Sequence, residues 1–242
     1  EIGVRLVGSE MCIRDSTKGV IVNSPNNPSG VVLTEECIQG ICQVLEEKQK
    51  EYGKEIFLIA DEPYRELVYG DVKVPYLMNY YDNTLVCYSY SKSLSLPGER
   101  IGYIAVSDHI KDWKNVYAAV CGAGRVLGYV CAPSLFQKVI ARCQGQVSDV
   151  SVYKKNRDIL YNALTEYGYR CIKPDGAFYL FVESLEKDAA AFSEKAKEFE
   201  LLLVPADSFG TPGFVRISYC VSTKQIEDSL PAFKKLAESY GK

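Results

Sequence analysis

The sequence predicts an α/β protein, in which a three-layer large domain with a mostly parallel sheet is followed by a smaller α+β domain. Three apolar runs, KGVIVN (18–23), IFLIAD (56–61) and TLVCYS (84–89), lack polar alternation, which is typical of parallel strands buried on both faces. A helical pattern separates the first two runs. After about residue 149 the apolar pattern alternates more, as in a sheet with one covered face.

The segment between the first two runs has the signals of one helix. Thr34 is a suitable N-cap, two glutamates follow it in the first turn, and Gly53 is a stop signal. The predicted buried stripe of this helix consists of Ile38, Ile41, Cys42 and Leu45. The result is a β-α-β unit, and a further run, RIGYIAV (100–106), predicts another buried strand.

The C-terminal part of the chain predicts a separate set of elements. A long helix over roughly 149–167 is expected to bury Val152, Ile159, Leu160 and Leu164. Further elements are a helix at 188–199, the alternating strand FVRISYC (214–220), and a last helix with a capping box from Ser222 to Gln225.

Composition excludes several classes of function. The 242 residues carry 28 Lys and Arg against 31 Asp and Glu, a net charge of -3, so no positive excess attracts nucleic acid. No apolar run has the length of a membrane span. One histidine and nine cysteines without a C-x-x-C predict no metal site, and reduced, mostly buried thiols in a cytoplasmic protein.

Polar residues end the three apolar runs, at Asn23, Asp61 and Ser89. In open α/β sheets the ligand crevice lies outside the carboxyl ends of the strands, so these groups are expected to converge. A carboxylate at such an edge loses solvation and needs a cationic partner, for which a protonated heterocyclic nitrogen is suited. Tyr64 follows close by. The alternative for Asp61 is a plain turn or helix cap.

The stretch SYSKSLSLPGER (89–100) places Lys92 among serines, with Arg100 eight residues later. A desolvated lysine near other cations loses its proton more readily and can form a Schiff base. The guanidinium of Arg100 suits a phosphate, which it can bind with two parallel hydrogen bonds. The alternative is an ordinary surface lysine.

Two more stretches allow both a structural and a functional interpretation. SPNNPSG (24–30) has the composition of a tight turn, yet Asn27 could direct its amide at a ligand. In FVRISYC, alternation places Arg216 on one face with Phe214 and Ser218. Arg216 is then either a solvated surface charge or a fork for a substrate carboxylate.

Together and in this order, four of these motifs resemble those of the fold-type I pyridoxal-phosphate-dependent aminotransferases, the aspartate aminotransferase superfamily of classes I and II. The motifs are N-N-P-S-G (26–30), D-x-x-Y (61–64), S-x-S-K with the later arginine (89–100) and R-I-S (216–218). PDGAFYLFV (174–182) also looks like a strand of the family's small domain, and the likeness covers nearly the whole chain.

The resemblance implies an enzyme that moves an amino group between an amino acid and a 2-oxo acid, with pyridoxal 5'-phosphate as its cofactor. Lys92 would form a Schiff base with the cofactor aldehyde and later act as the base of the proton shift. Arg216, with Asn27 beside it, would bind the substrate carboxylate. The implied cofactor contacts are Asp61 for the pyridinium nitrogen, Asn27 and Tyr64 for the phenolic oxygen, and Ser89 and Arg100 for the phosphate.

The sequence departs from the family pattern at its start, because members carry a long segment before the asparagine motif. We interpret residues 1–16 as a non-native leader, 17–150 as the C-terminal part of the large cofactor-binding domain, and 151–242 as the small domain. We expect an N-terminally truncated fragment that binds cofactor weakly. The stretch at 122–134 resembles a segment near the family's subunit interface, which implies a homodimer for the intact parent.

Two other functions remain open at this point. A carbon–sulfur β-lyase of the same fold would use the same lysine, aspartate and arginine, and release of pyruvate and sulfide would identify it. A non-catalytic aminotransferase-like regulatory domain would carry a DNA-binding domain upstream.

Overall fold

A computed structural model of the protein describes residues 13–242, which form two compact units. Of the predicted leader 1–16, residues 1–12 lie outside the described residues, and Ile13 is buried among core side chains of the first unit. The predicted domain borders remain a prediction. The described part of the first unit comprises 13–24, Leu33–Glu66 and Lys73–Ser148, and the second comprises Pro25–Val32, Leu67–Val72 and Asp149–Lys242.

The first unit is built on a four-stranded sheet in the order β1-β2-β3-β4. Its strands are β1 (Gly19–Asn23), β2 (Phe57–Asp61), β3 (Thr84–Ser89) and β4 (Gly102–Val106). The first three strands are parallel and β4 pairs with β3 in the antiparallel direction. The carboxyl ends of β1, β2 and β3 therefore meet at one edge of the sheet.

Burial alternates along these strands, so the expectation that they are buried on both faces is wrong for the described chain. Leu58, Ala60 and Val86 are fully buried, whereas Ile21 on the edge strand is 70% exposed. The predicted burial of the run 100–106 is also wrong, because β4 lies at the other edge of the sheet and Ile104 is 50% exposed. A continuous apolar run indicates a strand, but it does not show whether one or both faces of that strand are covered by other elements.

One face of this sheet packs against helix α1 (Glu35–Tyr52). The Thr34 side chain accepts a hydrogen bond from the amide of Cys37, and Gly53 ends the helix in the left-handed conformation with φ 61°. Ile38, Cys42 and Leu45 are buried as predicted, whereas Ile41 is half-buried. Both predicted ends of this helix are thus confirmed.

Three further α-helices follow in the first unit, namely α2 (Tyr90–Ser93), α3 (Trp113–Val126) and α4 (Ser134–Arg142). The short α2 comes directly after β3. Helix α3 has no buried residue.

The second unit contains helix α5 (Val150–Glu166), helix α6 (Ala189–Lys197), helix α7 (Thr223–Glu238) and an antiparallel sheet. The predicted capping box of α7 is present, with Ser222 and Gln225 bonded reciprocally. The order of the strands in this sheet is β5-β6-β8-β7, from β5 (Cys171–Ile172), β6 (Tyr179–Glu183), β7 (Val204–Pro205) and β8 (Phe214–Ser218).

The buried face of α5 differs from the predicted one. Leu160 and Leu164 are buried as expected, but Val152 is 42% exposed, and Asn156 and Arg157 are buried instead. Each of these polar side chains has hydrogen-bond partners in the second unit: Asn156 donates to the carbonyls of Tyr219 and Val221, and Arg157 to that of Pro174. Apolar periodicity cannot detect buried residues whose polar groups are satisfied in this way.

The prediction of mostly buried thiols is wrong. Among the eight cysteines in the described part of the chain, all free, only Cys42 is buried, while Cys121, Cys131 and Cys220 are exposed. Within residues 13–242, no helix combines the length and the apolar content needed to cross a bilayer.

Candidate active site

The carboxyl edge of the first sheet brings Asp61 against Asn23. Parallel pairing sets the last residue of β1 opposite the last residue of β2. The Asn23 amide nitrogen lies 3.0 Å from the Asp61 Oδ2 atom and 2.9 Å from the Asp61 main-chain carbonyl oxygen, and donates to both. One side chain thereby holds both the backbone and the carboxylate of Asp61.

Within residues 13–242, no cationic side chain forms a hydrogen bond or an ion pair with the Asp61 carboxylate. Burial raises the pKa of Asp61, and the hydrogen bond from Asn23 opposes this rise. A carboxylate in this state gains from any cation that reaches it, because the cation restores the stabilisation that water no longer supplies.

A cleft of about 350 Å³ opens at this edge of the sheet. Asp61 and Ser89 are the predicted site residues in its wall, whereas Tyr64, Lys92 and Arg100 are not among the residues that line it. Cys87 also lines the cleft, because the pairing of β2 with β3 sets it opposite Asp61. The lining residues are Asp61, Cys87, Tyr88, Ser89, Gly102, Tyr103 and Ile104.

Lys92 lies in the short helix α2, three residues after the strand that ends at Ser89. The Ser89 hydroxyl oxygen caps this helix by accepting from the amide of Ser91 at 3.1 Å. The Ser148 amide donates to the carbonyl of Ser93 at 2.7 Å, and this bond fixes the end of the turn. The half-buried Lys92 is thus carried by a backbone that is held on both sides.

Arg100 is exposed and has a φ of 51°, in the left-handed region. Its Nη1 atom donates to the carbonyl of Pro97 at 2.8 Å. The predicted phosphate role of Arg100, shared with Ser89, remains a prediction. Tyr64 is buried in the loop that follows β2, and its predicted contact with the phenolic oxygen likewise remains a prediction.

The second unit brings together the other two predicted site residues, Asn27 and Arg216. The Arg216 Nη1 atom donates to Asn27 Oδ1 at 2.9 Å, although 189 positions separate the residues along the chain. The guanidinium carbon lies 4.6 Å from the ring centroid of Tyr179 and 5.0 Å from that of Phe209. Arg216 is therefore not a solvated surface charge.

The loop that carries Asn27 is packed tightly at Gly30. A Cβ atom at Gly30 would lie 2.5 Å from the Cβ of Pro174, and the residue has a φ of 70°. Only glycine accommodates both the approach and the backbone conformation. The glycine of the N-N-P-S-G motif therefore fixes the path of the loop.

The sequence alone does not indicate a role for four residues of these two regions. The sequence predicts Asn23 only as a strand end, although the register of parallel neighbours pairs it with Asp61. Cys87 could have been found in the same way. No sequence signal indicated Tyr179 or Phe209, because their contacts with Arg216 depend on the fold of the second unit.

Comparison with known proteins places the chain in a family. The model of the family "Aminotransferase class I and II" matches residues 6–233. The chain is 32% identical over 234 residues to a probable aspartate aminotransferase from Methanocaldococcus jannaschii, covering 93% of this chain and 60% of that protein. A probable N-acetyl-LL-diaminopimelate aminotransferase from Bacillus subtilis is also 32% identical, over 232 residues, with 91% of this chain and 56% of that protein covered.

Solved structures agree with this result. A crystal structure of an aminotransferase from Eubacterium rectale is 61% identical, with a TM-score of 0.96, over 98% of this chain and 60% of that one. An aspartate aminotransferase from Thermotoga maritima is 28% identical with a TM-score of 0.83, over 96% of this chain and 60% of that one. The chain thus spans about 60% of the length of these relatives. These similarities confirm the predicted fold class, and the chain belongs to the class I and II aminotransferases.

Proposed function

We propose that the chain takes part in pyridoxal-phosphate-dependent transfer of an amino group between an amino acid and a 2-oxo acid. The observation that carries the proposal is the half-buried Asp61 carboxylate, held by Asn23 at the edge where three strands end. Desolvation makes this carboxylate a partner for a cation. A protonated pyridine nitrogen supplies one.

The residues present fit this cofactor. The cleft beside Asp61 is open and contains the Ser89 hydroxyl, and Lys92 follows on a backbone fixed by hydrogen bonds. Asp61 would hold the ring nitrogen, Asn27 and Tyr64 the phenolic oxygen, and Ser89 and Arg100 the phosphate. When bound, pyridoxal phosphate supplies an electron sink for the negative charge that develops at the substrate Cα.

Lys92 and Arg216 have separate tasks in this proposal. The Lys92 Nζ atom would be the covalent attachment point for the cofactor aldehyde. Once released, it would take the proton from the substrate Cα and deliver it to the cofactor carbon that receives the amino group. Arg216 binds the substrate carboxylate, for which its planar set of N–H donors is suited. Asn27 orients Arg216 through the hydrogen bond at 2.9 Å.

The substrate class is proposed no more narrowly than an amino acid and a 2-oxo acid. The relatives have the names of aspartate, aspartate/prephenate, aromatic-amino-acid and diaminopimelate aminotransferases. We further propose a cytoplasmic location, which the free thiols in the described part of the chain support.

Borohydride trapping tests the proposal directly. The chain is incubated with pyridoxal phosphate, reduced, digested and examined by peptide mass spectrometry. We expect the reduced adduct on the peptide that contains Lys92, at a much higher yield than on other lysines, and its loss in Lys92→Ala. Lys111→Ala, which changes a lysine distant in sequence, is the matched control. An adduct that remains equally abundant in Lys92→Ala would contradict the proposal.

A further inference from the structure

The second unit surrounds Arg216 with more than the asparagine that the family motif supplies. The Arg216 guanidinium packs over the rings of Tyr179 and Phe209, at 4.6 and 5.0 Å from their centroids. Its Nη1 atom donates to Asn27, and its buried Nε atom has no hydrogen-bond partner in the described part of the chain. We call Tyr179 and Phe209 the aromatic pair.

The aromatic pair attracts the guanidinium without using its hydrogen-bond donors. The negative face of an aromatic ring attracts a cation within about 6 Å, and the attraction is stronger where water is excluded. A guanidinium has five N–H donors in one plane, and ring contacts leave those donors available for acceptors in that plane. The aromatic pair can thus hold the plane of Arg216 while N–H groups remain for a carboxylate.

We propose that Tyr179 and Phe209 are positioning residues that fix the guanidinium of Arg216 for recognition of a substrate carboxylate. The inference rests on the proposed function, because it assumes that Arg216 binds the carboxylate. It goes further by assigning a task to two residues that contact the arginine and not the reacting atoms.

Phe209 is the better residue for a test. Tyr179 is 8% exposed and belongs to a strand of the sheet, so its replacement would disturb the core. Phe209 is 37% exposed and ends a single turn of 3₁₀-helix at Asp207–Phe209, where Gly210 follows with a φ of 74°. Replacing the Phe209 ring removes a contact with Arg216 at little cost to the sheet.

The first measurement is the NMR resonance of the Arg216 Nε–H group in the full 242-residue chain, assigned by its loss in Arg216→Lys. Nearby rings displace this resonance from its usual position. We expect Phe209→Leu to move it toward the usual position and Phe209→Tyr, which keeps a ring, to leave it nearly unchanged. Phe209→Met replaces the ring by a flexible chain and serves if the leucine variant does not fold.

The second measurement is the dissociation constant for 2-oxoglutarate, obtained by titration of the same variants. We expect Phe209→Leu to raise this constant about threefold to tenfold, in the range of a cation–π contact. Phe209→Tyr keeps a ring, so its dissociation constant should stay within about twofold of that of the unchanged chain. The matched control is Phe199→Leu, which makes the same change at a half-buried phenylalanine of the second unit.

The outcomes separate the inference from the proposed function. If Arg216→Ala abolishes 2-oxoglutarate binding while Phe209→Leu changes neither the resonance nor the binding, the positioning role is wrong and the carboxylate role of Arg216 stands. If Phe209→Tyr weakens binding as much as Phe209→Leu, the ring is not the active feature and the inference is overturned. If Arg216→Ala leaves binding unchanged, the carboxylate role itself is wrong and the inference falls with it.

Discussion

At the scale of single residues, the main feature is a carboxylate whose pKa is raised by burial. Asp61 loses solvation at the sheet edge, and the amide of Asn23 only partly compensates for the loss. Such a residue reduces the stability of the chain alone and increases its affinity for a cationic ligand. Strained or desolvated groups of this kind are frequent at functional sites.

This carboxylate gives a stability prediction for Asp61→Asn. The folded-state pKa of Asp61 is raised, so folding favours the protonated carboxyl group over the charged one. Protonated Asp61 stabilises the fold below the unfolded-state pKa, and this contribution is lost as the pH rises through the folded-state pKa. At pH 7 without cofactor, we expect Asp61→Asn to increase the free energy of unfolding by up to about 1 kcal/mol, given the partial exposure. The gain should vanish below about pH 4.

Urea denaturation of both proteins from pH 3 to pH 8 measures this difference. The same substitution should weaken binding of pyridoxal phosphate, because an amide carries no charge for the ring nitrogen. Asp82→Asn, at an aspartate whose side chain is 76% exposed, is the control and should change little beyond its exposed contact with His109. A loss of stability at pH 7 in Asp61→Asn would contradict the prediction.

At the scale of elements, buried polar side chains connect helices and strands as apolar contacts do. In the second unit, Asn156 of α5 donates to the carbonyls of Tyr219 and Val221 and accepts from the hydroxyl of Thr223. One fully buried amide therefore joins α5 to the segment between β8 and α7. The polar contacts fix the relative position of these elements more specifically than a leucine could.

This connection predicts a large cost for Asn156→Leu. The substitution leaves two carbonyls and one hydroxyl without their partner, so we expect a loss of roughly 2 to 4 kcal/mol in the free energy of unfolding. Hydrogen exchange of amides in β8 and α7, together with urea denaturation, measures the loss. Thr223→Val removes only one of the hydrogen bonds and should cost about 1 kcal/mol. Equal stability of Asn156→Leu and the unchanged chain would show that the connection is unimportant.

At the scale of the whole molecule, exposed apolar side chains cluster at the last residue of helix α3 and just after it. Val126 is 88% exposed, Leu127 73%, Tyr129 74% and Val130 76%. A contiguous apolar stretch of this kind is typical of an interface. This stretch lies within 122–134, the segment whose resemblance to the family's subunit interface implies a homodimer for the intact parent.

Sedimentation or light scattering of the chain tests whether this stretch also joins two copies of the 242-residue chain. We expect a dimer at micromolar concentration, and a shift to monomer when Leu127→Asp and Val130→Asp are combined, because the charges would be buried at the interface. Leu202→Asp is the control, since Leu202 is 83% exposed and lies in the second unit. A monomer at every concentration would show that this stretch does not join two copies of the 242-residue chain.

The sequence by itself determined the elements, because the signals that specify them are local. Thr34 and Gly53 set the ends of α1, Ser222 and Gln225 cap α7, and alternation placed Arg216 on the correct face of β8. The tertiary structure alone decided which polar groups meet. The contacts of Asn23 with Asp61 and of Phe209 with Arg216 depend on strand register and loop path, which arise from packing between segments distant along the chain. Burial of Asn156 and exposure of Ile104 were decided in the same way, since the layers that cover a residue are a property of the fold.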